Sequence, residues 1–522
     1  MEELWSYKVW NIVILILFIL LMLLAISSVA NLIIKGTLST IFTGLTIQII
    51  NVVFLITIVL IIHILVMENS NPVHTLAWIL VLVFVPVLGF VFYLFFGRNW
   101  RKNRIFNRKG QRDAGEIRNL LPQSSYRPPR HSVAARLIAL MDRNPKAILT
   151  TYNQVELIAD TRNAFDRICE GIRQAKSHIH LEYFSIANDS TGRTLMQLLL
   201  EKRKQGVEIR LIYDDVGSWK LGRKAKLKLR DAGVELAPFM PAWIPFLNSK
   251  LNYRNHRKLV IIDGLSAYLG GLNIGDQYLG LDKYFGYWRD SLMVINGEGS
   301  LALQSIFLMD WFFVSRKDLL IDQHWDRYLP MEQAKQGIEH PVAVQVLASG
   351  PDTDHANILQ VYFDAISSAA VFIGITTPYL ILNESLLMAL KTAAGRGVRV
   401  QIVVPGKADH LMVYWASRSY FEELLLAGVE IFIYQKGFMH AKVLIIDNEV
   451  LSVGTTNMDL RSFNHNFELN AMIFDESLAV EALAHFTEDL SHSIKLEYEE
   501  FRLRSTYKRS LESLFRLFSP LL

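Results

Sequence analysis

Residues 256–263 read HRKLVIID, and this octapeptide is the part of the sequence that best indicates the fold. A second copy, HAKVLIID, occupies residues 440–447. Both copies place a histidine, a lysine and an aspartate at the same offsets, H-x-K-x4-D, around branched apolar residues typical of a buried strand. The two copies indicate an internal repeat.

Further segments recur in the same order around the two octapeptides, and helical periodicity alternates with short runs of Val, Ile and Leu. This alternation is typical of α/β units with a mainly parallel or mixed sheet. We therefore predict two duplicated α/β lobes, at residues 131–335 and 340–495, that form one domain with pseudo-two-fold symmetry. The corresponding segments are GVEIRLI at 206–212 with GVRVQIV at 397–403, and AGVE at 232–235 with AGVE at 427–430.

The residue types in the octapeptides suit displacement at a phosphorus atom. A histidine and a lysine two residues apart on a strand point to the same face, and two symmetric lobes can bring two such faces around one pocket. One imidazole then attacks phosphorus, the other protonates the leaving oxygen, and the lysines neutralise the non-bridging oxygens. The aspartate is better suited to holding a ring nitrogen, with a structural salt bridge as the alternative. The candidate catalytic residues are His256, Lys258, Asp263, His440, Lys442 and Asp447.

Four more residues are candidates for substrate binding. Asn273 and Asn457 follow glycine-containing turns, so their amides can donate to phosphate oxygens while the backbone approaches closely. Glu182 and Tyr379 lie at corresponding strand ends, where they either line the pocket or pack in an ordinary way. No metal-binding spacing of His, Cys or acidic residues occurs, so the mechanism is expected to need neither metal nor cofactor.

Apolar residues are concentrated at the N-terminus, where residues 11–34, 42–66 and 76–96 form three long runs. Each is long enough to cross a bilayer as a helix. The first run is interpreted as a span rather than a cleaved signal peptide because acidic residues precede it. Pro86 and Gly89 predict a kink in the third run, with a re-entrant hairpin as the alternative.

A basic cluster follows the third run and indicates its cytoplasmic side. Residues 1–97 are thus predicted to be an anchor of two to three helices, and residues 98–130 a basic linker that attracts anionic lipid. We expect a multi-pass protein of the plasma membrane with a cytoplasmic catalytic domain. The cluster contains Arg98, Arg101, Lys102, Arg104, Arg108, Lys109 and Arg112.

Three smaller features complete the sequence. The single cysteine, Cys169, excludes an intrachain disulfide and is interpreted as a small core residue. The apolar, proline-rich stretch 239–247 either enters the membrane interface or packs as a buried loop. The C-terminal segment 496–522 contains an amphipathic helix at 507–517, which is either interfacial or packed on the domain.

The paired H-x-K-x4-D motifs resemble those of the phospholipase D superfamily. Over nearly the whole chain after about residue 45, further strings are similar to those of the bacterial cardiolipin synthase family. That resemblance implies transfer of a phosphatidyl group between two phosphatidylglycerols through a phosphatidyl-histidine, with His256 as nucleophile and His440 as general acid and then base; the sequence itself does not choose between the histidines. The strings are NP at 71–72, AW at 77–78, GR at 97–98, NYRNHRK at 252–258, GGLNI at 270–274, YWRD at 287–290, SGPD at 349–352, TPY at 377–379 and SPLL at 519–522.

Two other functions share the same chemistry. A membrane-tethered phospholipase D would pass the phosphatidyl group to water, and a nuclease would act on a nucleic acid phosphodiester. The modest net charge of +4 and the lack of a long basic stripe argue against nucleic acid as a partner. The expected partners are phosphatidylglycerol, other anionic lipids and the membrane itself, while the oligomeric state, a homo-oligomer included, is left open.

Overall fold

The computed structural model divides into two units, one of residues 1–102 with 246–249 and one of residues 103–245 with 250–522. It describes residues 38–67, 72–84, 89, 109, 126, 128–130, 132–142, 144, 146–241, 253–321, 325–352 and 356–522.

In the first unit, helices cover Leu38–Met67 and Pro72–Phe84, and Leu60 packs against Leu82. Among the residues described, no helix meets the combined requirement of length and apolar character for crossing a membrane. The predicted span at 11–34 lies outside the described residues, and those at 42–66 and 76–96 are not confirmed.

The second unit contains the predicted α/β repeat. Its helices are Val133–Met141, Thr161–Gln174, Ser190–Lys204, Gly222–Asp231, Glu298–Ser315, Met331–Ala334, Asn357–Ser368, Glu384–Gly395, Leu411–Arg418, Phe421–Leu426, Leu460–Asn464, Glu476–Ser491, Tyr498–Arg502 and Thr506–Arg516. Its strands, numbered in chain order, are β1 (Ala147–Thr150), β2 (Asn153–Ile158), β3 (His178–Tyr183), β4 (Glu208–Asp214), β5 (Glu235–Phe239), β6 (Leu259–Ile262), β7 (Ser266–Gly270), β8 (Tyr287–Arg289), β9 (Leu292–Gly297), β10 (Ala343–Ser349), β11 (Phe372–Thr376), β12 (Leu380–Ile381), β13 (Arg399–Pro405), β14 (Glu430–Tyr434), β15 (Gly437–Met439), β16 (Val443–Ile446), β17 (Val450–Gly454), β18 (Met458–Asp459), β19 (Glu468–Phe474) and β20 (Ser493–Leu496).

The two main sheets of the described residues have the same strand order. The first runs β2-β9-β7-β6-β3-β4-β5, and the second runs β10-β19-β17-β16-β11-β13-β14 with β1 and β20 added at its edges. In both, the motif strand lies in the middle and pairs antiparallel with its two neighbours. The pairing continues parallel beyond β3 and β11 and antiparallel beyond β7 and β17. The internal repeat and the two-lobed mixed α/β fold are therefore confirmed.

The motif strands are apolar at every position because both of their faces are buried. In β6, Leu259 and Ile261 join a core cluster shared by the two lobes, whereas Val260 and Ile262 pack with the helices of the first lobe. The alternation of side chains along a strand produces this division. The same division holds in β16, so the shared core fixes the two motif strands relative to each other.

Two elements that follow residue 131, the predicted start of the first lobe, contact the second lobe. Strand β1 pairs antiparallel with β10 of the second sheet. The helix Val133–Met141 packs in the core of the second lobe, where Leu137 and Met141 join the cluster that contains Tyr362. By pairing with β10, β1 covers a sheet edge that would otherwise present free backbone groups.

The C-terminal helix Thr506–Arg516 packs on the second lobe, which is one of the two predicted alternatives. Its Glu512 is buried and forms ion pairs with Arg504 at 2.7 Å and with Arg418 at 3.5 Å. Tyr507 and Leu517 on the same segment remain exposed. In the stretch 239–247, residues 242–247 lie outside the described part of the chain.

Candidate active site

The two lobes exchange backbone hydrogen bonds beside each motif histidine. The N–H of His256 donates to the carbonyl of Phe467 at 3.0 Å, and the N–H of His440 donates to the carbonyl of Arg289 at 2.8 Å. Strand β8 of the first lobe also runs parallel to β15 of the second. Each histidine is therefore positioned by a segment of the opposite lobe.

The residue after each of those carbonyls is a carboxylate that contacts the histidine ring. The two oxygens of Glu468 lie 2.9 and 3.0 Å from Nδ1 of His256, and Oδ2 of Asp290 lies 2.6 Å from Nδ1 of His440. Both carboxylates are buried. An Nδ1–H that donates to a carboxylate leaves Nε2 with its lone pair, so each imidazole keeps one nucleophilic or basic nitrogen.

Asp263 and Asp447 have a different role from the one predicted. Oδ1 of Asp263 accepts from the N–H groups of Ser177 and His178 at 2.7 and 2.8 Å, and Oδ2 accepts from that of Lys176 at 2.8 Å. Asp447 makes the same three bonds to residues 370–372.

The prediction that these aspartates hold a ring nitrogen is corrected for a geometric reason. Each lies at the far end of the motif strand from its histidine, and seven residues of extended chain span about 23 Å. Both occupy hairpin turns with a positive φ, +53° at Asp263 and +50° at Asp447. Aspartate tolerates this backbone conformation and can hydrogen-bond local amides.

The two motif lysines lie beside the histidines. Nζ of Lys258 donates to the carbonyl oxygen of His256 at 2.7 Å. Nζ of Lys442 lies 2.9 and 3.1 Å from the two ring nitrogens of His440. Burial lowers the pKa of Lys258 to about 7 and that of Lys442 to about 8. Both amines therefore titrate near neutral pH.

The histidines are neutral at pH 7 in this environment. Burial lowers the pKa of each to about 4, despite the opposing charge of its carboxylate. The charge of Lys442 contributes to the lowered pKa of His256, and the charge of Lys258 contributes to that of His440. The charge of each lysine therefore acts on the histidine of the opposite lobe, so the two His-Lys pairs lie near each other.

Each histidine also contacts an aromatic ring. The ring of Phe184 meets His256 edge-on with centroids 5.2 Å apart, and the indole of Trp288 lies 5.0 Å from His440. Nζ of Lys258 lies over the Phe184 ring at 5.4 Å. Phe184 and Trp288 thereby exclude water from the two imidazoles and contribute to the low dielectric that lowers their pKa values.

The four residues predicted to bind substrate are distributed around this region. Glu182 is fully buried and accepts from Nδ2 of Asn255, the neighbour of His256, at 2.6 Å. Oδ1 of Asn273 accepts from the N–H of Ser185 at 3.2 Å. Asn457 is buried, and its Oδ1 has no hydrogen-bond partner among the described residues. Tyr379 donates its hydroxyl to Asp409 in the second lobe.

Gly271 leaves space for the carboxylate of Asp290. The sequence predicts instead that the glycine lets the protein backbone approach the substrate. A Cβ at this position would lie 2.1 Å from Oδ1 of Asp290. A glycine is therefore needed here for the carboxylate to reach His440. In the second lobe, Thr455 occupies the position after Gly454, and its hydroxyl donates to Oε2 of Glu468.

A network of buried charges lies behind His256. The guanidinium of Arg257 pairs with Asp310, which lies 2.9 Å from Nζ of Lys109. Asp352 pairs with Lys109 at 3.1 Å and with Lys146 at 2.7 Å. Burial raises the pKa of Asp352, but these two lysines hold it well below its ordinary value. Lys109 was predicted to belong to the lipid-facing basic cluster, and its buried ion pairs correct that prediction.

Asp290 and Glu468 lie outside the H-x-K-x4-D motifs, so the motif spacing does not indicate them as site residues. The repeat contained the necessary signal: Leu292 pairs with Gly270 in the first lobe as Asn470 pairs with Gly454 in the second. Asp290 and Glu468 each lie two residues before those positions and are therefore equivalent. In the described part of the chain, no group of three or more His, Cys, Asp or Glu residues is arranged to hold a metal ion.

Comparison with known proteins agrees with this architecture. Residues 168–311 and 362–490 match the family model described as cardiolipin synthase, PLD-like domain. Residues 55–98 match a model described as phospholipase D-nuclease N-terminal. The two matches to the first model fall on the two lobes.

Similar proteins cover most of the chain. A cardiolipin synthase of Geobacillus sp. (strain WCH70) is 42% identical over 468 residues, covering 89% of this chain and 92% of that protein. Cardiolipin synthase 2 of Bacillus anthracis is 42% identical over 459 residues, covering 87% and 88%.

A solved structure supports the fold independently. The phosphatidylserine synthase of Haemophilus influenzae Rd KW20 superposes with a TM-score of 0.55, covering 79% of this chain and all of that one. Its 15% identity limits the likeness to the fold. The family match over both lobes and the identity along nearly the whole length lead to one conclusion: the chain belongs to the cardiolipin synthase family of PLD-like proteins.

Proposed function

We propose that the protein is a phosphatidyltransferase that makes cardiolipin and glycerol from two molecules of phosphatidylglycerol. The observation that supports this most strongly is the pair of buried, neutral histidines, each anchored at Nδ1 by a carboxylate and flanked by a lysine. Family membership supports the same reaction.

In the first half-reaction, Nε2 of His256 attacks the phosphorus of one phosphatidylglycerol. The bond between phosphorus and the headgroup glycerol oxygen breaks, and His440 gives that oxygen a proton, so glycerol leaves and a phosphatidyl-histidine remains. His440 must be protonated for this step. An anionic phosphodiester entering the pocket favours the imidazolium and raises the pKa of His440 above its value in the empty site.

In the second half-reaction, a headgroup hydroxyl of another phosphatidylglycerol replaces the departed glycerol. His440 takes the hydroxyl proton, the oxygen attacks phosphorus, and the bond from phosphorus to Nε2 of His256 breaks. Both histidines return to their starting states. His256 is assigned as the nucleophile because the amine of Lys442 lies 3.1 Å from Nε2 of His440 and competes for its lone pair. The amine of Lys258 donates to a backbone carbonyl instead.

Lys258 and Lys442 neutralise the non-bridging oxygens as negative charge develops in each transition state. Asn273, Asn457, Glu182 and Tyr379 remain predicted lining residues. Asp263 and Asp447 contribute to the site by holding the turns at the ends of the motif strands.

We further propose that the apolar N-terminal runs anchor the protein in the plasma membrane with the catalytic lobes in the cytoplasm. This proposal is supported by the length of the runs at residues 11–34, 42–66 and 76–96 and by the basic residues after them. The test is cysteine labelling from outside intact cells. A cysteine placed at Glu2 is expected to be labelled, and one at Arg112 is expected to stay unlabelled until the cells are permeabilised.

The test of the reaction uses the purified full chain in detergent with labelled phosphatidylglycerol and no added metal. Cardiolipin and free glycerol are the expected products, and His256→Ala and His440→Ala are each expected to abolish both. If phosphatidic acid dominates, the protein is a hydrolase, and if either variant keeps its activity, the shared-site mechanism is wrong.

A further inference from the structure

The loop after strand β4 lies at the rim of the candidate site. The hydroxyl of Ser218 donates to the carbonyl of Phe184 at 2.9 Å, and Phe184 contacts the ring of His256. The N–H groups of Val216 and Gly217 donate to Oδ1 of Asp214 at 3.1 and 2.9 Å.

Asp214 connects this loop to the histidine strand. Its second oxygen accepts from the N–H of Asn255 at 3.1 Å, and it pairs with Arg254 at 3.2 Å. The rim loop and the residue before His256 are thus tied to one buried carboxylate. The loop has a fixed position relative to the catalytic imidazole.

This fixed loop exposes a large apolar side chain. Trp219 is 72% exposed and Val216 is 40% exposed. An exposed indole at a fixed position is unusual for a solvated surface, and its amphipathic ring is suited to the boundary between lipid headgroups and acyl chains. Strand β13, the equivalent of β4 in the second lobe, is followed by the helix Leu411–Arg418, where Leu411 is also exposed.

A basic helix follows Trp219 directly. The helix Gly222–Asp231 buries Ala225 and Leu229 and exposes its opposite face. Lysines and arginines recur on the exposed face at spacings of three to four residues, which aligns them along one side of the helix. We call this surface the Trp-Lys surface; it consists of Val216, Trp219, Lys220, Arg223, Lys224 and Lys228.

The charge on this surface is not neutralised locally. Arg223, Lys224 and Lys228 form no ion pair with any residue in the described part of the chain, whereas the half-buried Lys226 pairs with Asp215 at 3.4 Å. Basic residues near an anionic membrane surface each contribute about 1 kcal/mol of attraction. An exposed indole beside four basic side chains combines apolar insertion with electrostatic attraction.

We propose that the Trp-Lys surface docks the catalytic lobes onto a bilayer that contains anionic phospholipid and holds the mouth of the site, at His256, against that bilayer. The proposal rests on the proposed function, because a phosphatidylglycerol headgroup must reach His256 while its acyl chains stay in the membrane. Docking through Trp219 would shorten the distance between His256 and the headgroups at the membrane surface. The anionic substrate then also serves as the ligand of the docking surface.

The direct test measures membrane depth in the full chain. Cys169 is 2% exposed and burial raises the pKa of its thiol to about 11, so a cysteine introduced on the surface is labelled selectively. Trp219→Cys with a nitroxide label is compared in vesicles of phosphatidylcholine with and without phosphatidylglycerol. The label is expected to become accessible to oxygen and shielded from a water-soluble nickel complex when phosphatidylglycerol is present.

Val371→Cys is the matched control. Val371 is 69% exposed and precedes β11, so it lies at the amino ends of the parallel strands, opposite the ends that carry the site. Its label is expected to remain accessible to the nickel complex in both vesicles. The proposal is overturned if, in phosphatidylglycerol vesicles, the Trp219→Cys label is as accessible to the nickel complex as the control label. It is also overturned if DNA shields the Trp219→Cys label and vesicles do not.

A kinetic test separates docking from chemistry. The triple variant K220E/R223E/K224E is expected to lose roughly tenfold or more in kcat/KM on phosphatidylglycerol vesicles, because three attractive charges become repulsive. With monomeric short-chain phosphatidylglycerol, its kcat/KM is expected to equal that of the unaltered chain. The control R173E/K176E/K204E makes the same change in net charge at the amino ends of β3 and β4.

The two tests fail in different ways. Equal activity of the triple variant and its control on vesicles overturns the docking proposal even if cardiolipin is formed. Absence of cardiolipin from the unaltered chain with both substrates overturns the proposed function, and in that case the depth measurement still decides whether the Trp-Lys surface docks.

Discussion

Oδ2 of Asp290 lies 2.6 Å from Nδ1 of His440, although the two residues belong to different lobes. The same carboxylate accepts the N–H of Ser291 through Oδ1 at 2.8 Å, and Gly271 leaves the space for it. Two oxygens with separate donors give this carboxylate one orientation. The imidazole of His440 is therefore restricted to one tautomer, with the lone pair on Nε2.

Asp290→Asn and Glu468→Gln are expected to lower kcat by about 10²–10⁴-fold, because a neutral amide neither selects the tautomer nor stabilises the imidazolium. Steady-state cardiolipin formation measures the change. Glu499→Gln, on an exposed ion pair with Arg502, is the control and should leave kcat unchanged. A kcat within threefold of the unaltered chain in either test variant would mean that the carboxylates do not orient the histidines.

Asp263→Ala and Asp447→Ala are expected to act on stability rather than on chemistry. Each removes the acceptor of three backbone N–H groups that are exposed or partly buried, at a cost of about 1–3 kcal/mol in the free energy of unfolding. Urea unfolding followed by intrinsic fluorescence measures this loss. At a temperature well below the transition, kcat should fall by less than tenfold. The opposite pattern, lost kcat with unchanged unfolding, would return these aspartates to the catalytic group.

The pH dependence of kcat/KM is expected to have an alkaline limb between about pH 7 and 8, in addition to the loss of the His440 imidazolium at lower pH. The pKa of Lys258 is lowered to about 7 and that of Lys442 to about 8, chiefly by burial. Each amine is charged below its pKa and neutral above it, so binding of the anionic phosphodiester weakens as the pH rises. Because the lysines interact, the limb belongs to the pair rather than to either residue.

Lys258→Arg is the sharpest check of this assignment, because a guanidinium stays charged throughout the accessible range. The alkaline limb should move to higher pH in this variant and stay in place in Lys204→Arg, an exposed control. The alkaline limb of kcat should also occur at a higher pH than that of kcat/KM, because bound substrate favours the charged amines. A limb that does not move in Lys258→Arg assigns the titration to another group.

Asp310→Ala is expected to destabilise the second unit by about 3–5 kcal/mol, because it leaves the buried charges of Arg257 and Lys109 without their common partner. The midpoint of urea unfolding measures the effect. Lys317→Ala, which removes the exposed partner of Glu235, should cost less than about 1 kcal/mol. Similar losses in the two variants would contradict a buried ion network.

The sequence predicts the lobes well because the signals that define them are local. The apolar character of β6 and β16 and the matching order of segments predict the repeat without any knowledge of packing. The H-x-K spacing likewise predicts that His256 and Lys258 share one face of the strand. Burial lowers the pKa values of Lys258 and Lys442.

The partners of those residues depend on contacts between the lobes and could not be predicted in the same way. The spacing of the motif suggests Asp263 as partner of His256, but the extended strand carries it to the far end, and Glu468 of the other lobe takes the position. Lys109 shows the same difficulty. Its sequence neighbours are basic, whereas its ion partners Asp310 and Asp352 are some 200 residues away or more.

Each lobe depends on the other, because each supplies the carboxylate that contacts the histidine of its neighbour. A lobe by itself contains a histidine without its orienting acid and an acid without its histidine. Loss of either copy would therefore leave the remaining histidine without its carboxylate. The copies were nevertheless free to diverge in detail, and one now supplies a short acid beside Gly271 while the other supplies a longer one beside Thr455. Such divergence allows two originally equal histidines to acquire unequal duties.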